Sequence, residues 1–313
     1  MKAIILREAG GVESLLTTDI EKPQINKSEV LVEVKAISVN PVDFKVRGAE
    51  PILNMIYGEE RPAILGWDIS GVVVKKGSEV NNFEIGDRVF GMINFVGKGK
   101  AYAEYVAAPA DQLAKIPREV TFYSAAASTL AALTALQVLQ DKIKPNDRVL
   151  IHAGSGGVGH FAIQIAKSMG AFVITTSSTK NKELVLSFGA DQHIDYQKQA
   201  FEKTISNVDF VFDMFNGDVL FKSIQIAKEG GTVISIPTPD FAEEIKALAK
   251  EKNVILQFHM VQSNGNDMQT IAGLLENGAI KPHISKAFSF DEMRKAHEQL
   301  ESGRTVGKVI VTL

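Results

Sequence analysis

Through about residue 116 the apolar positions come in short runs or alternate with polar ones. KAIIL, EVLVEVKAISV, ISGVVVKKG, GDRVFGMI and AYAEYVAAP have strand lengths, with Gly, Pro, Asn and Asp between them. This pattern predicts an all-β unit with a boundary near Pro117. From Phe122 the pattern changes, and the Ala-rich stretch Ser124 to Gln140 predicts a helix. Apolar strands then alternate with amphipathic segments. RVLIHA leads into a helix through Met169, AFVITTSS into KNKELVLSF, and HIDY follows. VDFVFDMF leads into DVLFKSIQIAKEG, TVISIP into FAEEIKALAKEK, and VILQFHMV into DMQTIAGLLENG. Such alternation predicts a doubly wound parallel sheet covered on both faces, an α/β fold. The tail supplies one helix and a last strand, KVIVTL, that returns to the β unit. The expected domains are therefore 1–120 together with 284–313, and 121–283.

The loop after RVLIHA is the densest chemical signal. AGSGGVG places Gly154, Gly156 and Gly159 in the G-x-G-x-x-G spacing, with Ser155, Gly157 and Val158 between them. In a dinucleotide site Gly154 permits the turn, Gly156 lets the backbone approach a pyrophosphate, and Gly159 lets the helix pack closely on the strand. Helix N-terminal amides then face the anion. Alone the spacing is weak, and a plain tight turn is the other reading. Its position between a predicted strand and helix supports dinucleotide binding.

NAD-preferring sites place a carboxylate about 20 residues further on. Here no Asp or Glu occurs from Arg148 through Lys182, and the second strand ends in Thr175, Thr176, Ser177 and Ser178 before Lys180 and Lys182. Hydroxyls and ammonium groups suit a 2′-phosphate, which points to NADPH. The other reading makes both lysines a solvated helix start.

Composition removes other classes. The 313 residues carry a formal net charge of −3, which speaks against nucleic-acid partners. There is no cysteine, so thiolate nucleophiles, iron–sulfur clusters and Cys-rich zinc sites are excluded, and a reducing, cytoplasmic setting is expected. SAAASTLAALTALQVL is below the roughly 18 apolar residues of a membrane span, and MKAIILREAG is too short in apolar content for a signal core. The six histidines show no ligand spacing, and no metal is expected.

Taken together, VNPVDFKVRG, PAILGWDISGVV, FEIGDRVFGM, AAASTLAALTALQVL, AGSGGVGHFAIQIAKSMGA, FGADQHIDY and VGKVIVTL resemble the zinc-independent quinone oxidoreductases of the medium-chain dehydrogenase/reductase superfamily. The resemblance runs nearly the whole chain. It implies a GroES-like β domain, a Rossmann domain, an active-site cleft between them and a homodimer, with VILQFHMV as a candidate pairing edge. Zinc-dependent relatives hold a metal where this chain has Asn40, Trp67 and Asp68, a poor donor set. The resemblance also places Asn40 beside the nicotinamide, Thr134 on the cofactor and Tyr196 near the adenosine 2′-phosphate. Bland readings stand beside these: a turn at Asn40–Pro41, back-bonding by Thr134, a strand-end Tyr196. Ile236 and Pro237, at a strand end, are expected beneath the nicotinamide.

These features point to NADPH-dependent hydride transfer to quinones or α,β-unsaturated carbonyls, with Asn40 as a candidate oxyanion donor and Tyr57, on a loop, as a candidate proton donor. An enoyl-thioester reductase and a non-catalytic NADPH-binding sensor are the alternatives.

Overall fold

The computed structural model describes residues 1–313. It divides into two compact units, Met1–Leu133 with Gln262–Leu313, and Thr134–Val261.

In the first unit the strand Glu29–Val39 organises a seven-stranded sheet. It pairs antiparallel with Asp68–Lys76, Tyr105–Pro109 and the chain-terminal strand Lys308–Thr312. Ile284–Ser289 lies beyond the last of these, and Arg88–Met92 and Ala114–Lys115 extend the other side. A three-stranded sheet joins Leu15–Asp19, Lys2–Leu6 and Ala63–Ile64. In the middle of the central strand Val32, Val34 and Ala36 are buried while Glu33 and Lys35 between them are only half-buried, the period of two that the pleat imposes.

This unit is not all β. Pro41–Gly48 and Glu50–Tyr57 are helices, each with a proline near its start, where the missing N–H costs nothing. At eight residues each they are too short for their periodicity to stand out. The predicted helix over 124–140 is in fact two, Phe122–Ala127 and Leu130–Leu139. At the break Ser128 Oγ and Thr129 Oγ1 donate back to the carbonyls of Ser124 and Ala126, while an Asp68 carboxylate oxygen accepts from Leu130 N at 3.0 Å. A carboxylate from a distant strand thus restarts the helix.

The unit limits differ from 120/121 and 283/284 for a packing reason. Ala126 and Ala127 sit against Ala36 and Ile310, so their helix belongs to the β unit. Helix Gly265–Glu276 packs on Ala110–Lys115 and stays with it as well.

The second unit is a six-stranded parallel sheet of β1 (Arg148–Ile151), β2 (Phe172–Ser177), β3 (Gln192–Asp195), β4 (Val208–Asp213), β5 (Ala227–Ser235) and β6 (Ile255–Phe258). In space they run 3-2-1-4-5-6, the doubly wound order whose crevice lies at the strands' C-terminal ends. Leu150, Ile174, Val211 and Val233 from the sheet pack with Leu220, Ile224 and Ile245 from helices. The helix predicted over DVLFKSIQIAKEG stops at Ile226, because Ala227 turns extended and pairs with Val208.

Candidate functional site

At the C-terminal edge of the parallel sheet the loop after β1 reverses within three residues. Ala153 takes φ +50°, Gly154 N donates to Thr176 O at 2.9 Å, and Gly156 N donates to Ala153 O at 2.8 Å. The left-handed residue is therefore Ala153, while Gly154 and Gly159 are demanded by close approach. A Cβ on Gly154 would lie 2.0 Å from Thr175 Oγ1, and one on Gly159 2.2 Å from the Ala153 carbonyl oxygen. The helix Gly159–Ser168 starts there, and the amides of Ser155, Gly157 and Val158 find no acceptor in the chain. Three unpartnered N–H groups at a helix N-terminus form an anion cradle.

The neighbouring strand ends complete this edge. After β2, Ser177 Oγ meets His193 Nε2 at 2.9 Å, and Ser178 Oγ is buried without a partner. Lys180 and Lys182 are exposed, as is Tyr196 after β3. Asn181, unremarked in the sequence, donates from Nδ2 to Ser155 Oγ at 3.0 Å and so ties the second loop to the glycine loop. After β4 the Asn216 carboxamide oxygen is buried and unpartnered. Ile236 and Pro237 follow β5, where Ile236 N donates to Asp213 O at 3.3 Å. Thr134 is buried in the helix Leu130–Leu139.

A carboxylate does reach this edge. Asp195 stands opposite Ser177 in the β2–β3 register, accepts from Thr179 Oγ1, and takes Gln197 N at 3.0 Å. The Thr179 hydroxyl holds its carboxyl below the usual range. A rule counted along one strand and helix does not see a residue delivered by the next strand.

The first unit buries a different cluster. Asn40 precedes the helix Pro41–Gly48 and is 1% exposed. Its Nδ2 donates to Asp68 Oδ2 at 2.7 Å and to Ser38 O at 3.2 Å, while its Oδ1 accepts from the Lys308 ammonium. Lys308 can only donate, so the carboxamide orientation is fixed chemically. Both amide hydrogens are committed within the protein. The donor role expected from the sequence would therefore need one of these two bonds to be given up. Asp43 Oδ2 accepts from Asn40 N at 2.7 Å and from Tyr102 Oη at 3.0 Å. Tyr102 Oη meets His297 Nε2 at 2.9 Å, and Arg47, paired with Glu301, reaches His297 Nδ1 at 3.2 Å.

Burial raises the Asp43 carboxyl to about 7 and raises Asp68 as well, against the pull of Lys308. Burial lowers the Lys308 ammonium. The placement of Tyr57 requires correction. It ends a helix instead of sitting on a loop, is 1% exposed, and donates its hydroxyl to Ile64 O at 2.6 Å. Burial pushes that phenol up, away from proton donation near neutrality.

Residues 26–118 match the family model of the alcohol dehydrogenase GroES-like domain, and residues 188–311 that of zinc-binding dehydrogenases. A 2-methylene-furan-3-one reductase of Solanum lycopersicum is 34% identical over 99% of this chain and 79% of its own length. An NADPH-dependent alkenal/one oxidoreductase, chloroplastic, of Arabidopsis thaliana is 32% identical over the same shares. A solved quinone oxidoreductase from Coxiella burnetii superposes with a TM-score of 0.93 at 38% identity, covering 100% of this chain and 99% of that one. The chain belongs to the zinc-independent quinone oxidoreductase-like family of medium-chain dehydrogenases/reductases.

One of the two matching family models is named for zinc, and the residues of this oxidoreductase do not fit that metal. Asn40 offers a carboxamide oxygen already taken by Lys308, and Trp67 directs its indole N–H to Gly97 O at 2.7 Å. Asp68 serves Asn40 and Leu130. No three His, Cys, Asp or Glu side chains gather closely enough to ligate an ion. No helix is long and apolar enough to cross a membrane.

Proposed function

We propose that this oxidoreductase uses NADPH to reduce quinones or α,β-unsaturated carbonyls, without a metal. One observation carries the reading: unpartnered amides on the glycine loop share a sheet edge with a buried, unpartnered Ser178 hydroxyl and the exposed Lys180 and Lys182. The amides of Ser155, Gly157 and Val158 hold the pyrophosphate, and Ser177, Ser178, Lys180 and Lys182 hold the 2′-phosphate. Tyr196 covers the adenosine, while Ile236, Pro237 and Thr134 border the nicotinamide. Bound NADPH supplies a hydride, that is, two electrons and one proton equivalent. The relatives named for alkenal/one and methylene-furanone reduction support enone acceptors, and the quinone oxidoreductase supports quinones. Both acceptor classes leave an enolate or hydroquinone anion that water protonates, so the reaction needs no dedicated acid. Asn40 serves here through the backbone it fixes at the start of Pro41–Gly48, with its amide hydrogens spent inside the protein.

The outer edge of β6 is unpaired and Ile255 on it is half exposed, which supports a homodimer formed there. The cysteine-free composition supports a reducing compartment, the cytoplasm.

NADPH consumption with a simple quinone and, separately, an enone tests the reading. We expect turnover with at least one acceptor, a preference of about tenfold or more for NADPH over NADH, and no loss on chelation. Tight NADPH binding with no turnover over a broad acceptor panel would instead make the protein a sensor. Strong preference for an enoyl thioester would make it a thioester reductase.

A further inference from the structure

His152 opens the glycine loop but belongs to none of the motif positions. It is 1% exposed, with Nε2 at 2.9 Å from Ser223 Oγ and Nδ1 at 3.1 Å from Thr176 Oγ1. The tautomer follows from the partner that Ser223 already has. Ser223 spends its hydroxyl hydrogen on Val219 O at 2.7 Å, so it accepts from His152, and Nε2 carries the imidazole's proton. Nδ1 is then an acceptor, filled by the Thr176 hydroxyl. The Thr176 oxygen in turn accepts from Ala153 N at 3.3 Å. A single ordered chain therefore runs Ala153 N–H, Thr176 O–H, His152, Ser223 O–H, Val219 O. It links the helix Gly217–Ile226 through β1 and β2 to the one non-glycine residue of the loop held at positive φ.

We infer that His152 is a positioning residue for the cofactor: as a neutral imidazole it fixes Thr176, Thr176 fixes Ala153 in its left-handed turn, and Ala153 sets where the anion-facing amides point. The inference rests on NADPH occupying this loop. Ala153 is well placed to transmit the constraint, because its carbonyl accepts from Gly156 N and lies where a Cβ on Gly159 would go. Released from Thr176, an alanine at φ +50° relaxes toward negative φ, and the amides of Ser155, Gly157 and Val158 turn with it. Neutrality matters because protonated Nδ1 could not accept. Burial holds His152 down to about 3, so the chain persists through the physiological range. The T-shaped packing of Phe201 on the imidazole, centroids 4.8 Å apart, keeps water from competing.

The test compares His152→Phe, His152→Gln and Thr176→Val with the wild type, reading NADPH affinity by cofactor fluorescence and kcat at saturating NADPH. His152→Phe and Thr176→Val should each weaken NADPH binding about five- to tenfold, with kcat within about twofold. Their combination should be no worse than the weaker single variant, since either change breaks the same chain. His152→Gln, whose amide can donate and accept, should stay within about twofold of the wild type. The inference is overturned if Thr176→Val binds NADPH like the wild type, or if Gln and Phe at position 152 weaken binding equally, which would make the ring's bulk the cause. A wild-type protein that fails to bind NADPH would instead overturn the functional reading beneath it.

Discussion

The two units each bury a polar network next to the residues assigned to function, and they solve the cost of burial in opposite ways. In the nucleotide-binding unit the network of His152, Thr176 and Ser223 is neutral throughout, and every donor has one acceptor. In the β unit the network is ionic: Asp43, Asp68 and Lys308 around Asn40, then Tyr102, His297, Arg47 and Glu301. A neutral network can be severed at one link at the cost of one hydrogen bond. An ionic network cannot, because removing one charge strands its partner in a medium that solvates it poorly.

The sharpest break of this contrast is Lys308→Met. It removes the ammonium from Asn40 Oδ1 and takes from Asp68 and Asp43 the cation that lowers both carboxyls. We expect a loss of about 3–5 kcal/mol in urea unfolding, with part of it recovered when Asp68→Asn removes the opposing charge. A loss under about 1 kcal/mol would mean that the ionic cluster is no more dependent on its members than the neutral one.

Gly159→Ala comes next. Its Cβ would meet backbone, the Ala153 carbonyl, and backbone yields only by moving the loop. NADPH affinity should fall by about 3 kcal/mol, roughly a hundredfold, while Asn40 and its partners, in the other unit, are untouched. Isothermal titration reads the affinity.

Acid separates the clusters through linkage. His152 is lowered by burial from 6.5 to about 3, so on acidification the unfolded chain takes the proton first. Its contribution is complete above pH 6.5 and drains away as pH falls toward 3. Between pH 6.5 and about pH 5 this amounts to about 2 kcal/mol. His297, likewise lowered to about 3, slopes the same way. Its neighbour Asp43, raised from 3.8 to about 7, slopes oppositely, because the folded form takes the proton first as pH falls through 7. The ionic cluster is thus partly self-compensating, and the neutral one is not. His152→Gln should lose about 2 kcal/mol less than the wild type over that interval, read from urea midpoints at both pH values. An unchanged acid slope would place the titration elsewhere.

This contrast also marks what the sequence disclosed. The strand series, the parallel sheet and the glycine loop were legible because they are local: periodicity, turn residues and spacing all lie within thirty or so consecutive positions. Asn40 was visible as a residue but not as a participant, since Asp68, Lys308 and Asp43 reach it from a strand, the chain end and a helix. The partners that hold its carboxamide were hidden for that reason. Asp195 escaped notice likewise, because it arrives beside Ser177 through strand pairing. The short helices at Pro41–Gly48 and Glu50–Tyr57 hid among strands for want of length, and Tyr57 was misplaced with them.

Tyr57 supplies the mildest test, and one that bears on the chemistry. Its hydroxyl has a single partner, Ile64 O at 2.6 Å, and its ring is packed out of solvent. Tyr57→Phe keeps the ring and removes one neutral hydrogen bond, so stability should fall by about 1 kcal/mol and turnover with quinone or enone should stay within about twofold. Both follow if the proton comes from water. A general acid contributes about a hundredfold or more, so a drop of that size at unchanged stability would return Tyr57 to the reaction. It would also mean that the phenol leaves Ile64 when acceptor binds, making the β unit's interior a moving part of catalysis.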